Sequence, residues 1–303
     1  MSGICAGRVV IVTGAGNGLG RAYALGLAAE GARVVVNDLG VGTHGEAGVT
    51  EGAADRVVAE IRALGGTAVA NCADVSDWEA ARHIVAAALD AFGELHAVVN
   101  NAGFVRDRMF VSCTPEEWDA VLRVHLRGHF CTSRHAVDYW RSRLKAGHAV
   151  DARIINTSSG AGLQGSLGQS AYSTAKGGIA TLTLVQAAEL ARYGVTANGL
   201  VPNARTRMTQ TAFAAEMNRM EGNFDLYAPD NTAPLVAWLC SAASAGITGQ
   251  LFELKGGRIC VAQGWVDGPA QDKGARWTAA EIGPVIEQLV AARTGPKPVY
   301  GAG

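Results

Sequence analysis

The sequence has no excess of charge of either sign. Its 303 residues include 26 lysines and arginines against 27 aspartates and glutamates, for a formal net charge of −1. Because proteins that bind nucleic acid usually present a basic face, this balance predicts no nucleic-acid partner. Charged residues make up only 17% of the chain, whereas apolar residues make up 49%. That composition is typical of a folded globular domain and excludes general disorder.

Long hydrophobic runs and paired cysteines are also lacking. No stretch of about 18 apolar residues is present, so we expect no membrane-spanning helix and no membrane partner. The N-terminal stretch MSGICAGRVVIVTG has no basic segment followed by a long apolar one, unlike a secretory signal. The six cysteines form no CxxC pair, which predicts no metal site and favours reduced, buried thiols in a cytoplasmic protein. They are Cys5, Cys72, Cys113, Cys131, Cys240 and Cys260.

Short β-branched segments alternate with helical ones along most of the chain. Strands of four to seven residues that alternate with helices predict a parallel sheet covered on both faces. We therefore expect a single Rossmann-like, doubly wound α/β domain with a seven-stranded parallel sheet and helices on both faces. The predicted strands are Arg8–Thr13, Ala32–Asn37, Thr67–Asn71, Leu95–Asn100, Arg153–Thr157, Val195–Val201 and Leu251–Leu254.

A glycine-rich loop follows the first predicted strand and precedes a helix. Glycines let the backbone turn tightly and approach a pyrophosphate, and the helix N-terminus offers free N–H groups. A glycine loop by itself is a weak signal, but this position favours a dinucleotide site over a structural turn. The loop reads Thr13-Gly-Ala-Gly-Asn-Gly-Leu-Gly20, and its cofactor candidates are Gly14, Asn17, Gly18, Leu19 and Gly20.

Polar residues end the next three predicted strands. Asp38, after the second strand, can accept hydrogen bonds from both adenosine ribose hydroxyls and would repel a 2′-phosphate, which favours NAD over NADP. No lysine or arginine stands in the glycine loop or immediately after Asp38. Asp74, followed by Val75, either faces the adenine amine or caps the next helix. In the stretch Asn101-Ala102-Gly103, small residues allow a ribose to approach, although the asparagine amide can equally tie strand ends together.

Tyr172 and Lys176 are four residues apart on a predicted helix, so both side chains share one face. An ammonium group near a phenol lowers the pKa of the phenol, which would make Tyr172 an acid and base usable near neutral pH. Ser158 and Ser159 end the fifth strand at the same edge of the sheet, where a hydroxyl can hydrogen-bond a substrate carbonyl or alkoxide.

In combination, these motifs resemble those of the short-chain dehydrogenase/reductase family over about residues 6–260. The resemblance rests on TGAGNGLG, Asp38, Asp74-Val75, NNAG, Ser159, YSTAK and TGQLFELKGG. It implies that Ser159 and not Ser158 is catalytic, that Tyr172 exchanges the proton, and that Lys176 also binds the nicotinamide ribose. It also implies an NAD cofactor and a homodimer or homotetramer.

Two positions depart from the usual family pattern. His125 stands where the family has an asparagine that holds a water for a proton relay, so His125 either holds that water or is a satisfied core histidine. Pro202-Asn203 replaces Pro-Gly, and Thr206 corresponds only loosely to the threonine near the nicotinamide carboxamide. The stretches VVVNDLG, RDRMF, RVHLRGHF and PNARTRMTQT, which include both departures, resemble one subgroup, the (3R)-hydroxyacyl-CoA dehydrogenases of β-oxidation. This resemblance implies an acyl-CoA thioester as substrate. A free steroid or other alcohol, or a non-catalytic NAD-binding scaffold, are the alternatives.

The substrate side is less well marked. We expect one domain over residues 1–263, with a lid at about 208–232. Apolar residues stand at roughly helical spacing there, namely Met208, Met217, Met220 and Phe224, and a surface helix packed on the core is the alternative. Residues 264–303 would be an extension packed on the same domain. Its single helix starts either at a capping box formed by Thr278 and Glu281 or later, near Pro284. Arg106 and Arg108 either meet a CoA phosphate or form ordinary salt bridges.

Overall fold

Strands and helices alternate along the chain in the computed structural model, which describes residues 3–42, 45–46, 52–205, 218, 220–221, 224–295, 297 and 299–301. The strands are β1 Val9–Thr13, β2 Arg33–Asn37, β3 Thr67–Asn71, β4 Ala97–Asn100, β5 Ala152–Thr157, β6 Val195–Asn203, β7 Met220–Glu221, β8 Phe224–Asp225, β9 Leu251–Lys255 and β10 Arg258–Val261. The α-helices are α1 Gly18–Ala29, α2 Ala53–Ala63, α3 Trp78–Phe92, α4 Pro115–Leu122, α5 Gly128–Lys145, α6 Gly160–Gln164, α7 Ser170–Leu190, α8 Ala233–Cys240 and α9 Ala279–Ala292.

The main sheet runs in the order β10-β9-β6-β5-β4-β1-β2-β3. This order confirms the doubly wound fold, because the chain moves outward from β1 in one direction and from β4 in the other. The predicted count of seven strands is wrong by one. The seven expected strands are all parallel, and β10 adds an eighth that pairs antiparallel with β9 at the edge. A tight turn at Gly256-Gly257 makes this hairpin possible.

Two apolar cores lie on opposite faces of the sheet. Successive residues of β1 point to opposite faces: Val10 and Val12 join the core beneath α1, α2 and α8, whereas Val9 and Ile11 join the core beneath α3, α5 and α7. All four side chains are fully buried. A strand that is apolar at every position is therefore explained by a sheet covered on both sides.

Side-chain caps determine where several helices begin. Asp77 accepts a hydrogen bond from the Ala80 N–H and starts α3. Thr114 and Glu117 form the capping box at the start of α4. In the C-terminal extension, Thr278 forms the capping box with Glu281, so α9 starts there, and Pro284 lies inside the helix.

Two expectations need correction. Of the six cysteines, only three are buried; Cys72 is exposed, and Cys113 and Cys260 are partly exposed, because they lie in loops or in an edge strand.

Within the expected lid, β7 and β8 form a short antiparallel hairpin, so helical spacing does not hold at Met220 and Phe224. Of the expected lid at about 208–232, residues 208–217, 219 and 222–223 lie outside the described residues. Among the described helices, none is both long and apolar enough to cross a membrane.

Buried amides join the central strands to the helix behind them. Asn156 in β5 accepts a hydrogen bond from the Asn100 side chain of β4 at 3.0 Å. Its own amide donates to Thr183 Oγ1 at 3.0 Å and to Gln186 Oε1 at 2.7 Å, both on α7. This network fixes α7 against the sheet, and α7 is the helix that carries Tyr172.

We predict that Asn156→Ala lowers the free energy of unfolding by about 2–4 kcal/mol, because it leaves buried polar groups without partners. Denaturant unfolding followed by circular dichroism measures this loss. Thr196→Val is the matched control on the next strand, because Thr196 Oγ1 is buried and finds no hydrogen-bond partner among the described residues. The control is expected to change stability little, and equal losses in the two variants would contradict the role assigned to the network.

Candidate active site

A cleft of about 360 Å³ opens at the carboxyl ends of β1 and β4, where the strand order reverses. Ligands of doubly wound sheets bind at this point. All eleven residues expected to bind the cofactor in the first half of the chain line the cleft. They are Gly14, Asn17, Gly18, Leu19, Gly20, Asp38, Asp74, Val75, Asn101, Ala102 and Gly103.

The backbone of the glycine loop leaves no room for a side chain at Gly14 or Gly20. Gly14 has a φ of +61°, and a Cβ there would lie 2.7 Å from the Cα of Ala102. A Cβ on Gly20 would lie 2.1 Å from the Gly14 carbonyl oxygen. Asn17 precedes α1 without capping it, and its amide nitrogen is buried without a hydrogen-bond partner among the described residues. Free N–H groups at the start of α1 and an unpartnered amide in a backbone cradle fit the pyrophosphate of a dinucleotide.

Asp38 is held in place by the backbone of two loops. One carboxylate oxygen accepts the Gly16 N–H at 2.8 Å, and the other accepts the Gly40 N–H at 2.8 Å. A Cβ on Gly16 would lie 2.7 Å from the Asp38 carboxylate, so only glycine permits this contact. The sequence reasoning missed this role of Gly16, although the glycine pattern of the loop already contained it.

The other polar strand ends differ in what they contact. Asp74 does not cap α3; its carboxylate accepts the Ser76 N–H at 2.8 Å and the Ser76 hydroxyl at 2.7 Å. Arg123, which directly follows α4, lies 3.7 Å from the same carboxylate. The sequence reasoning missed this contact, since no sequence pattern links the end of α4 to the turn at Asp74 and Ser76. The Asn101 amide donates to the carbonyls of Thr13 and Gly14 at 3.0 and 3.1 Å. Asn101 therefore ties strand ends together while it lines the cleft.

The structure brings Ser159, Tyr172 and Lys176 together beyond Gly103 and Phe104. Ser159 follows β5 and caps the short helix α6, and its hydroxyl is near enough to the phenol of Tyr172 to lower the pKa of that phenol in part. Lys176 lies one turn along α7, with its Nζ 5.6 Å from the centroid of the Tyr172 ring. The neighbouring Ser158 is buried and donates to the Lys176 carbonyl at 2.8 Å, so its hydroxyl is already used within the fold.

Burial dominates the ionisation of these groups. It lowers the pKa of Lys176 to about 7, and its Nζ donates to the Thr157 carbonyl at 2.6 Å. The pKa of Tyr172 is raised by burial, while the hydrogen bond with Ser159 lowers it in part. The expectation that Lys176 depresses the pKa of Tyr172 is therefore wrong for this state of the protein. The ammonium faces a carbonyl and not the phenol oxygen, and removal from water disfavours both charged forms.

His125 is buried next to Tyr172. It lies in a single π-helical turn, Arg123–Arg127, between α4 and α5. Its Nε2 is 2.7 Å from the Phe104 carbonyl oxygen. The centroids of the His125 and Tyr172 rings are 5.3 Å apart, and the two rings meet edge to face. The Nδ1 atom has no hydrogen-bond partner among the described residues. A Cβ on Gly103 would lie 2.1 Å from the imidazole, so Gly103 makes room for this ring. Burial first, and then the nearby Lys176, lower the pKa of His125 to about 3.

The remaining candidates lie outside this cluster. Thr206 lies outside the described residues. Arg108 forms an ion pair with Glu117 at 3.2 Å. The Arg106 guanidinium lies 5.6 Å from the centroid of the Phe104 ring, and Arg106 lines the cleft. Arg108 therefore has the ordinary ion pair that was the alternative to phosphate binding.

Comparison with known proteins identifies the family. The family model described as short chain dehydrogenase matches residues 8–220. The chain belongs to the short-chain dehydrogenase family. This membership confirms the resemblance seen in the motifs. Members of the family typically bind a nicotinamide cofactor, and the cleft lies at the switch point where ligands of such sheets bind. A crystal structure of a short chain dehydrogenase from Mycobacterium avium is 58% identical, with a TM-score of 0.89, and covers 99% of this chain and 100% of its own.

Two named relatives are similar over most of the chain. Hydroxyacyl-CoA dehydrogenase ChsB1 of Mycobacterium tuberculosis is 42% identical over 95% of this short-chain dehydrogenase and 90% of its own length. Peroxisomal multifunctional enzyme type 2 of Mus musculus is 46% identical over 84% of this chain. The match covers only 32% of that longer mouse enzyme.

We predict that stability will depend on pH through Lys176. The folded protein releases the Lys176 proton near its pKa of about 7, whereas the unfolded chain keeps it up to the ordinary pKa of 10.5, so unfolding takes up a proton between these values. The free energy of unfolding of the wild type should therefore rise relative to Lys176→Met by about 2 kcal/mol from about pH 7 to about pH 9. Lys145→Met, at an exposed position, is the control and should show no such trend. A pH-independent difference for Lys176→Met would refute the proposed burial of the charge.

Proposed function

We propose that this short-chain dehydrogenase oxidises a (3R)-hydroxyacyl-CoA to the 3-oxoacyl-CoA with NAD. The observation that carries the proposal is the similarity, over 95% of the chain, to an enzyme named hydroxyacyl-CoA dehydrogenase. In the present chain the similarity is accompanied by a complete cluster of Ser159, Tyr172 and Lys176. The (3R) configuration follows from the subgroup that the sequence resembles.

Asp38 is the basis for NAD as the cofactor. Its carboxylate is held by two backbone N–H groups, so it stands ready to accept hydrogen bonds from ribose hydroxyls and to repel a 2′-phosphate. Two arginines line the same cleft, but neither contacts Asp38. Arg123 donates to the Ser76 hydroxyl at 3.1 Å, and Arg106 lies over the Phe104 ring. The part of the chain that the structure describes thus places no compensating cation for a 2′-phosphate at the Asp38 carboxylate.

Tyr172 is the proposed proton acceptor for the substrate hydroxyl. Tyr172 would accept this proton as the phenolate. NAD held in the cleft would supply the ring that takes the hydride from the carbon that bears the hydroxyl. Ser159, whose hydroxyl lowers the pKa of Tyr172 in part, is placed to donate to the developing carbonyl oxygen. Lys176, 5.6 Å from the centroid of the Tyr172 ring, is the proposed partner of the nicotinamide ribose hydroxyls.

His125 is the proposed holder of a relay water. Its pKa of about 3 keeps the imidazole neutral at neutral pH. Nε2 contacts both the Phe104 carbonyl at 2.7 Å and the Phe104 N–H at 3.1 Å, so Nδ1 accepts from a water in one tautomer and donates to it in the other. A buried ring nitrogen without a partner among the described residues, beside Tyr172, fits a water that carries the proton away.

We also propose a homodimer or homotetramer. Helices α5 and α7 leave large apolar side chains exposed on their outer surfaces. Phe130, Leu184 and Val185 are 48%, 47% and 45% exposed. Apolar side chains on two long neighbouring helices fit contact with a second copy of the chain.

The proposal predicts NADH formation from (3R)-hydroxyacyl-CoA substrates, and Tyr172→Phe tests its chemistry. Without a group to accept the proton, kcat/KM should fall by about 10²–10⁴-fold. The affinity for NAD should change little, as measured by fluorescence titration. Tyr139→Phe, on the surface of α5, is the control and should keep full activity. Full activity of Tyr172→Phe would overturn the mechanism.

The substrate panel separates the thioester proposal from the alternative of a free steroid or other alcohol. It contains (3R) thioesters from butanoyl to steroid-tailed chains, the (3S) isomers, and free secondary alcohols. Turnover limited to (3R) thioesters, with competitive inhibition by free CoA, supports the proposal. Turnover of free alcohols alone contradicts it. Tight NAD binding with no turnover of any compound supports a non-catalytic scaffold.

We predict that Asp38→Ser reduces the preference for NAD. The ratio of kcat/KM with NAD to kcat/KM with NADP should fall by at least about tenfold, because one ribose partner and one repulsive charge are lost. The ratio is the appropriate measure, since a general loss of folded protein lowers both values equally. Asp90→Ser, at an exposed position on α3, is the control. An unchanged ratio would show that another residue selects the cofactor.

A further inference from the structure

The last described residues of the chain fold back onto the loop that joins Ser159 to Tyr172. The Leu167 N–H donates to the Tyr300 carbonyl at 3.0 Å, and the Tyr300 N–H donates to the Gly165 carbonyl at 3.2 Å. Tyr300 thus forms a parallel bridge with Ser166, as an added strand would. A surface ion pair between Lys297 and Glu253 of β9, at 3.0 Å, attaches the same tail to the sheet just before Val299 and Tyr300.

The Tyr300 side chain lies against the residue that follows Ser159. A Cβ on Gly160 would lie 2.6 Å from the Tyr300 hydroxyl oxygen and 3.0 Å from Cε2 of its ring. Gly160 is the first residue of α6, and Ser159 caps that helix. The tail therefore places an aromatic ring beside the serine that faces Tyr172.

The opposite side of the same loop is held by the segment after β4. The Arg108 N–H donates to the Gly168 carbonyl at 2.7 Å, and the Gln169 amide donates to the Asp107 carboxylate at 3.1 Å. Three segments, 107–108, 165–169 and 299–301, consequently run side by side. We call this arrangement the rim.

The rim presents an apolar surface to solvent. Six exposed apolar side chains belong to the rim or directly follow segment 107–108. They are Met109 (55% exposed), Phe110 (77%), Val111 (94%), Leu167 (51%), Val299 (41%) and Tyr300 (38%). Exposed apolar side chains clustered next to a catalytic cleft are typical of a binding surface for an apolar ligand.

We propose that Tyr300 is a specificity-determining residue of the substrate site. Its ring, with the rim, forms the wall against which the hydrocarbon part of the substrate packs beyond the reacting hydroxyl. This inference rests on the proposed function, because the substrate it describes is the acyl-CoA of that reaction. It assigns long-chain or steroid-tailed thioesters, and not short ones, as the substrates that use the tail.

Tyr300→Ala tests the assignment through chain-length selectivity. The kcat/KM for a dodecanoyl or steroid-tailed (3R)-hydroxyacyl-CoA should fall by about 10–100-fold, the range expected for the loss of apolar contacts in a pocket. The kcat/KM for the butanoyl substrate and the KM for NAD should stay within about twofold, since neither reaches the rim. Tyr300→Phe keeps the ring and should behave as the wild type. Equal losses for long and short substrates, or a loss in Tyr300→Phe as large as in Tyr300→Ala, would overturn the proposal.

Gly160→Ala provides an independent test of the Tyr300 position. The added methyl group should displace the ring and reproduce the selective loss for long substrates. In the double variant Gly160→Ala/Tyr300→Ala, the two losses should not add, because there is no ring left to displace. Additive losses would contradict the contact. Ile286→Ala, on the exposed surface of α9 in the same extension, is the matched control and should keep wild-type selectivity.

The proposed acyl-CoA reaction and the proposed role of Tyr300 can each be refuted without the other. If the wild type turns over no thioester, the acyl-CoA reaction is wrong, and the Tyr300 comparison is made with short and long free secondary alcohols. A selective loss for the long alcohol then supports the role of Tyr300 on its own. If thioesters are oxidised with no chain-length effect in Tyr300→Ala, the reaction stands and the role of the tail is wrong.

Discussion

Side-chain amides hold together the carboxyl ends of the central strands, and both halves of the site depend on them. Asn101 joins the end of β4 to the Thr13 and Gly14 carbonyls, which fixes the start of the glycine loop. Asn100 and Asn156 join β4, β5 and α7. Parallel strands leave their last carbonyls and N–H groups unpaired near the switch point, where two loops part. Amides satisfy these groups without adding charge, so the cofactor cleft and the Tyr172 helix keep a constant separation.

The same rigidity makes the burial of charged groups possible. Lys176 is almost fully buried, donates to the Thr157 carbonyl, and has its pKa lowered to about 7 by loss of water. A buried ammonium destabilises a fold, and a buried phenol is hard to ionise. A site that keeps both side by side stores an unfavourable electrostatic arrangement. Such an arrangement is typical of groups whose charge is needed during a reaction and not for stability.

Local patterns in the sequence were sufficient to predict the seven parallel strands and eleven of the residues that line the cleft. Glycine, capping residues and β-branched runs act within a few residues, so Thr67–Asn71 could be predicted residue by residue. Contacts between distant segments could not be predicted. The π-helical turn at His125 continues a helical pattern without any change in composition. The edge strand β10 has mostly exposed residues and therefore no burial pattern. Arg123 reaches Asp74, and Tyr300 reaches Gly160, only because the fold brings them together.

The rim shows how such a distant contact bears on function. Residues 165–169 have no regular structure of their own, yet they connect the helix capped by Ser159 to the helix that carries Tyr172. Their backbone is paired on one side with residues 107–108 and on the other with the tail. The spacing between Ser159 and Tyr172 is therefore set partly by segments 107–108 and 299–301, which are not among the residues that line the cleft. Among the described residues of the tail, the contact with the sheet is the surface ion pair of Lys297 with Glu253, far from the amide network and the glycine loop. If Tyr300 selects the substrate, substrate choice and hydride chemistry lie in separate parts of the fold.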